Sequence, residues 1–80
     1  MDLKELEYAL EAVLFAAGES VHQRKLCAVL GVDEQALEYV AEALADDYDV
    51  NMRGIKLLRL DDRYQLCSRA EYAEYVRNVL

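Results

Sequence analysis

Few residues of this chain have the type and spacing that catalysis requires. Ser20 and His22 come nearest to a nucleophile and its base, but neighbouring positions in the sequence do not place a hydroxyl against an imidazole. His22 is expected at the start of a helix, exposed or lightly capping it. The 16 acidic residues are spread over helix surfaces and the three glycines are isolated, so neither an enclosed carboxylate pair nor a phosphate-binding loop is indicated. The sequence therefore predicts no catalytic residues, no cofactor and no enzyme activity.

The two cysteines, Cys27 and Cys67, are the other candidates for chemistry. They do not form a C-x-x-C motif, and the single histidine, His22, does not complete a zinc site with them alone. A disulfide between the two is one interpretation. The other, which the sequence favours, is a pair of reduced, half-buried thiols in a cytosolic protein. No metal site is predicted.

The net charge of −7 is unevenly distributed along the chain. Residues 1–49 hold 12 acidic and 3 basic residues, a net charge of −9, whereas residues 50–80 hold 4 acidic and 6 basic residues, a net charge of +2. An acidic body is repelled by phosphates and anionic lipid, which favours basic protein partners. The longest uncharged apolar run, 12–17, is far shorter than the ~20 residues of a membrane span, and no signal peptide is indicated. A soluble, cytoplasmic protein is expected.

Hydrophobic periodicity near 3.6 residues predicts three helices, at about 2–17, 23–30 and 33–50. Gly18 and Gly31 end the first two helices, and Asp33 caps the third. The residues expected to face the core are Leu3, Leu6, Leu10, Val13, Leu14 and Ala17 in the first helix, Leu26, Val29 and Leu30 in the second, and Leu37, Val40, Ala41, Leu44 and Tyr48 in the third. Between the first two helices, residues 19–21 are expected to be a short extended link.

The second part of the chain changes from helical to alternating patterns. Two short runs, 55–60 and 63–67, alternate around a polar turn at 61–62 and predict a β-hairpin. Ser68 and Glu71 have the spacing of a capping box, which predicts a last helix with an apolar stripe. That stripe consists of Tyr72, Tyr75, Val76 and Val79. Three helices followed by a hairpin are the order of a winged helix, so the predicted fold is mainly α with a small β-hairpin, as a helix-turn-helix plus a wing, and an extra C-terminal helix.

A winged helix raises the question of DNA binding, which the charges of this chain answer in two ways. The third helix would enter the major groove, yet it has no lysine or arginine and seven carboxylates. These are Asp33, Glu34, Glu38, Glu42, Asp46, Asp47 and Asp49. The hairpin region instead carries a candidate basic wing, formed by Arg53, Lys56, Arg59 and Arg63, with Arg69 close behind. The alternative function is therefore a DNA-binding transcription regulator that contacts phosphates through this wing, and the other interpretation is a solvated hairpin face that blunts an edge strand.

The first helix has a second apolar face. Tyr8, Ala12 and Phe15 lie at i, i+4 and i+7, roughly opposite the stripe that faces the core. Either the last helix or the hairpin covers this face, or it is a homotypic or partner contact, since aromatic residues are enriched in such patches. Both explanations stay open at this point. As a hypothesis, the three residues form a dimer or partner interface.

Four stretches resemble a known family when they are taken together. They are LEAVLFAAGE at 10–19, GIKL at 54–57, YQL at 64–66 and EYAEYV at 71–76. In this order and spacing they are similar to the N-terminal domain of ScpB, the bacterial segregation and condensation protein B. Each stretch alone is a weak signal, whereas the set is fairly specific and spans nearly all of the chain.

The resemblance implies a function as well as a fold. ScpB proteins consist of two winged-helix domains, which implies that residues 1–80 are one domain, the first of a longer protein. It also implies homodimerisation and binding to the kleisin ScpA and, through ScpA, to the SMC complex that condenses and segregates chromosomes before cell division. A cytoplasmic, nucleoid-associated protein without cofactors or catalytic residues is expected. The sequence departs from the family where proline is usual at Ser20, a Ser or Thr cap at His22, and turn glycines at Asp62 and Arg63.

Overall fold

Capping residues set the bounds of the long helices. The computed structural model describes all of residues 1–80, in which helix α1 spans Leu3–Ala17, α2 spans Gln23–Leu30 and α3 spans Glu34–Val50. The carboxylate of Asp2 accepts a 2.8 Å hydrogen bond from the amide of Glu5, and that of Asp33 accepts one of the same length from Ala36. Gly18 and Gly31 end α1 and α2 with φ angles of 66° and 69°, in the left-handed region that glycine tolerates. The predicted helices are confirmed.

A three-stranded antiparallel sheet follows the helices in space. Strands β2, Ile55–Leu60, and β3, Arg63–Ser68, form the predicted hairpin, and a short strand β1, Val21–His22, pairs with the other edge of β3. The link at residues 19–21 is extended as expected, and the structure adds the pairing of Val21 and His22 with β3, which was not predicted. A strand of two residues is too short to show alternation, so only its contact with β3 reveals it.

The core lies between α1, α2, α3 and the inner face of the sheet. It consists of Leu6, Leu10, Leu14, Leu26, Leu30, Leu37, Val40, Ala41, Leu44, Tyr48 and Tyr64. The prediction that Leu3, Ala17 and Val29 face the core was wrong, since Leu3 and Val29 are 55% and 60% exposed and Ala17 is also exposed. Leu3 is the first residue of α1. Around α2, Cys27 and Val29 lie on either side of Leu26. The half-buried Cys27 packs against the core, whereas Val29 does not.

The C-terminal segment differs most from the expectation. Ser68 is the last residue of β3, where it pairs with Ile55, so it does not cap a helix and the predicted capping box is absent. A 3₁₀ turn, Ala70–Tyr72, precedes a short helix α4, Ala73–Val79, which packs mainly against that turn. The stripe of Tyr72, Tyr75, Val76 and Val79 is exposed to solvent rather than buried in the core. The first three helices and the sheet already enclose the core, so α4 is not needed to complete it.

Candidate interaction surfaces

The outer face of α1, formed by Tyr8, Ala12 and Phe15, is open to solvent. Tyr8 is 56% exposed and Phe15 is 79% exposed, and Ala12 is also exposed. Neither the hairpin nor α4 covers these side chains, so the explanation that they are buried within the fold was wrong. The three residues share one face because the helix period places them opposite Leu6 and Leu10, which are buried.

The chemistry of this face suits contact with another helix. The small Ala12 side chain lies between two aromatic rings, and a small residue at that point lets a second helix backbone approach closely. Lys4 lies at its edge, with its Nζ 5.8 Å from the centroid of the Tyr8 ring. Aromatic rings of this kind are typical of interface centres, where they contribute large apolar area.

A cluster of carboxylates joins α1 to α3 behind this face. The phenol of Tyr48 donates a 2.6 Å hydrogen bond to Glu11, and Lys4 lies 3.4 Å from Asp47 and 3.5 Å from Glu7. Glu7 is only 5% exposed, and burial raises the pKa of its carboxyl, with further contributions from Asp47. Hydrogen bonding to Glu7, together with Lys4, lowers the pKa of Asp47. Burial and the Glu11 carboxylate raise the pKa of Tyr48. All these groups are engaged with one another, which is typical of an interhelical tie.

The candidate basic wing does not form one patch. Register places Arg59 opposite Tyr64, on the side of the hairpin that faces α3, where it forms a 3.1 Å ion pair with Glu38. This hydrogen bond raises the pKa of Arg59, whose guanidinium also lies 5.3 Å from the centroid of the Tyr64 ring. Lys56 and Arg63 lie on the other side of the hairpin, because alternate residues of a strand face opposite ways.

The remaining wing residues are tied to the body of the fold. The backbone carbonyl of Arg53 accepts a 2.6 Å hydrogen bond from the Nε of Arg69, and Arg69 forms a 2.8 Å ion pair with Asp49 at the end of α3. Two of the five basic residues therefore have carboxylate partners within the chain. The use of this region for DNA binding stays a prediction.

Ser20 and His22 bind different partners. The Nε of Arg63 donates a 2.9 Å hydrogen bond to the hydroxyl of Ser20, whereas the Nε2 of His22 lies 2.8 Å from Asp62. The Nδ1 of His22 accepts a 3.0 Å hydrogen bond from the amide of Arg24, which confirms that His22 caps α2. These contacts hold the start of α2 against the hairpin turn, and they do not join Ser20 to His22.

Both cysteines are free, half-buried thiols, as the favoured interpretation predicts. Burial raises the pKa of the Cys27 thiol, and the nearby carboxylates of Glu34 and Asp33 act in the same direction. Cys67 lies opposite Lys56 on the outer side of the hairpin.

No group of three or more potential ligands is positioned to hold a metal ion. None of the helices has both the length and the apolar character of a membrane span.

A groove between α1 and α2 was not predicted. Its volume is about 370 Å³, and its walls include Val13 of α1, Leu26 and Val29 of α2, and the charged side chains of Lys25 and Arg63. Val29 was assigned to the core from its periodicity. Cys27 and Val29 lie equally far around α2 from the stripe of Leu26 and Leu30, so periodicity alone does not tell which of the two faces the core.

The sequence is similar to curated segregation and condensation proteins B. It is 36% identical over 80 residues to that of Acetivibrio thermocellus, an alignment that covers 99% of this chain and 40% of the relative. It is 35% identical to that of Clostridium acetobutylicum, over 96% of this chain and 39% of the relative. The chain thus spans about two fifths of the length of these relatives.

Solved structures agree with the sequence comparison. A dimer of the ScpB N-terminal domain complexed with a ScpA peptide superposes with a TM-score of 0.88 at 34% identity, covering 98% of both chains. ScpB from Mycobacterium tuberculosis superposes with a TM-score of 0.90 at 25% identity, covering 99% of this chain and 49% of the other. These similarities confirm the winged-helix fold. The family model for the segregation and condensation complex subunit ScpB matches residues 8–80, and the chain therefore belongs to the ScpB family.

Proposed function

We propose that this chain is the N-terminal winged-helix domain of a longer accessory subunit of an SMC–kleisin complex. In this role it dimerises with a second copy, binds a ScpA-like kleisin and catalyses no reaction. Family membership supports a role in chromosome condensation and segregation. A relative that is 34% identical over nearly the whole chain was crystallised as a dimer with a ScpA peptide.

The exposed aromatic face of α1 is the observation that carries the self-association part of the proposal. Phe15 presents 79% of its surface to water in the isolated chain. Burial of an aromatic side chain at an interface contributes about 2 kcal/mol or more when it is a central contact. A two-fold axis near Ala12 would bring Tyr8 and Phe15 of each copy against the α1 helix of the other, and this is the geometry that we propose.

Sedimentation equilibrium over a range of concentrations tests self-association. We expect a concentration-dependent dimer for the unmodified chain. Phe15→Lys removes the ring from both copies, so it should weaken dimerisation by roughly 30-fold or more, the equivalent of about 2 kcal/mol or more. Val50→Lys is a matched control, because Val50 is also 79% exposed. Phe15 and Val50 each lie in the last turn of a helix, and neither of these last turns contains a basic residue.

Circular dichroism of both variants establishes that they are folded. A folded Phe15→Lys monomer beside a dimeric Val50→Lys variant supports the proposed contact. If both variants dimerise like the unmodified chain, the outer face of α1 is not the dimer contact. A strictly monomeric unmodified chain at high concentration contradicts the proposal that this domain encodes self-association.

Calorimetric titration with the ScpA-like kleisin of the same organism tests the partner. We expect the kleisin to bind the dimer as a unit, so that the number of kleisin chains bound is counted per two copies of this chain. The acidic surface of this domain keeps duplex DNA from competing, so the heat of kleisin binding should be unchanged when a short duplex is added. Displacement of the kleisin by duplex DNA would instead favour the basic-wing alternative.

A further inference from the structure

The groove between α1 and α2 combines an apolar lining with a cationic rim. Leu26 is fully buried at its base, Val13 is half-buried, and Val29 stands 60% exposed on its wall. A shallower depression of about 340 Å³ continues it along α2 past Ala28, and the two share His22 and Lys25. The two depressions meet at His22 and Lys25, and together they are called the trough.

The cations at this trough have no carboxylate partner within the chain. Lys25 and Arg63 border the groove and Arg24 borders its continuation. The ion pairs of the molecule engage Lys4, His22, Arg59 and Arg69, and none of the three trough cations. Arg63 is bonded only to the uncharged hydroxyl and carbonyl of Ser20. In a chain with 16 acidic and 9 basic side chains, three unpaired cations around one apolar groove form a local cationic surface on an otherwise acidic body.

We infer that the α1–α2 groove binds an acidic amphipathic segment of a partner protein. Apolar side chains of that segment would cover Val29 and Val13, and its carboxylates would face Lys25, Arg24 and Arg63. The inference rests on the proposed function for one point only, that the domain works by binding proteins, and it adds the surface and the chemistry of the segment. A buried apolar centre with charged groups at the rim is the usual anatomy of a peptide-binding groove.

The lining of the groove favours a peptide over nucleic acid. The wall residues Val13, Val29 and Leu26 offer no hydrogen bonds to phosphates or bases, and Glu19 at the rim repels phosphate. Three cations on a body of net charge −7 also give a weak field for a polyanion. An acidic segment needs only local pairing with these cations, whereas its apolar side supplies the larger part of the binding free energy.

Amide-resolved NMR titration of the isotopically labelled chain tests this inference. The probe is a synthetic peptide of about 14 residues, long enough to form a helix, with leucines on one face and glutamates on the other. Its twin has lysine in place of each glutamate. We expect the acidic peptide to shift the amides of Ala17, Lys25 and Val29, and the lysine twin, which keeps the apolar face but not the carboxylates, to shift them much less at the same concentration. Equal shifts with both peptides, or shifts confined to other faces, overturn the inference.

Two pairs of variants separate the groove from general charge and hydrophobicity. Lys25→Glu should weaken acidic-peptide binding by about fivefold or more, whereas Lys56→Glu, which removes another unpaired lysine on the outer side of the hairpin, should change it by less than about twofold. Val29→Gln should weaken binding similarly, and Val50→Gln should not. Unchanged affinity in Lys25→Glu and Val29→Gln overturns the inference.

The kleisin titration distinguishes this inference from the proposed function. If the kleisin binds the unmodified chain and binds Lys25→Glu and Val29→Gln equally well, and the acidic peptide also fails, the groove inference is wrong and the proposed function stands. If the kleisin does not bind but the acidic peptide binds in the groove, the inference stands and the partner is a different protein. A duplex that shifts the groove amides in place of the acidic peptide also overturns it.

Discussion

The phenol of Tyr48 donates a 2.6 Å hydrogen bond to the carboxylate of Glu11, and this bond ties the end of α3 to the middle of α1. Tyr48 is only 5% exposed, and removal of its hydroxyl leaves the half-buried carboxylate of Glu11 without this donor. We expect Tyr48→Phe to lower the free energy of unfolding by about 1–2 kcal/mol, measured by urea denaturation. Tyr39→Phe is the control on the same helix, because Tyr39 is 63% exposed, and it should change stability by less than about 0.5 kcal/mol. Equal stability of the two variants would show that the bond contributes nothing net.

The buried carboxylate of Glu7 makes the stability depend on pH. Burial raises its pKa above the usual value of 4.5, so the folded chain holds this proton more strongly than the unfolded chain does. The free energy of unfolding therefore falls as the pH rises from the usual value through the raised one, and the full penalty is present above both. We expect Glu7→Gln to be more stable than the unmodified chain by about 1 kcal/mol at neutral pH. The glutamine amide is uncharged, so its burial avoids the cost of burying an ionised carboxylate.

Denaturation at several pH values measures this effect. The advantage of Glu7→Gln should shrink as the pH falls through the raised pKa and vanish below the usual value, where the glutamate is protonated in both states. Glu42→Gln removes an equal charge at an exposed position on α3 and should give a difference that is small at every pH. A Glu7→Gln variant that is less stable than the unmodified chain at neutral pH would mean that the ion pair with Lys4 outweighs the cost of burial.

The helical part of the fold was predictable because its signals are local. Asp33 and Gly31 have the cap positions and backbone angles that their residue types favour, and the stripe from Leu37 to Tyr48 is buried as its period predicts. The hairpin was predictable for the same reason, since two alternating runs meet at Asp61, which adopts a φ of 55°. Aspartate tolerates this left-handed conformation better than most residues.

The elements that were missed depend on contacts distant in sequence. Val21 becomes a strand residue only because Tyr64 lies opposite it, and no pattern in two residues indicates this pairing. Periodicity likewise gave α4 an apolar stripe, yet it does not tell whether any surface remains for Val76 to cover. The outer face of α1 was found from the sequence because Phe15 breaks the expected polarity of a surface helix. The α1–α2 groove was missed because the misassigned Val29 lies on its wall.

The end of α3 contains a residue in an unfavourable backbone conformation. Met52 has a φ of 51°, and the amide of Arg53 donates a 3.0 Å hydrogen bond to the carbonyl of Tyr48, the pattern of a Schellman cap that usually has glycine at this position. The Met52 side chain is 85% exposed and contributes little packing. We expect Met52→Gly to raise the free energy of unfolding by about 0.5–1 kcal/mol, because glycine has no Cβ to strain and this gain exceeds the added chain entropy.

Met52→Ala is the control for this prediction, and thermal and urea denaturation measure both variants. Alanine keeps the Cβ while removing the rest of the side chain, so its stability should stay within about 0.5 kcal/mol of the unmodified chain. An equal gain in the alanine variant would assign the effect to loss of the exposed methionine side chain rather than to the backbone.

The histidine cap of α2 can be separated from the contact of the same residue with the hairpin turn. His22 accepts from the amide of Arg24 through Nδ1 and contacts Asp62 through Nε2. Serine at this position keeps an acceptor for the Arg24 amide, whereas alanine has none, and both variants lose the contact with Asp62. We therefore expect His22→Ser to be more stable than His22→Ala by about 1 kcal/mol in urea denaturation. If the two variants are equally stable and both are well below the unmodified chain, the contact with Asp62 and not the cap holds the start of α2. If both variants are as stable as the unmodified chain, neither contact contributes.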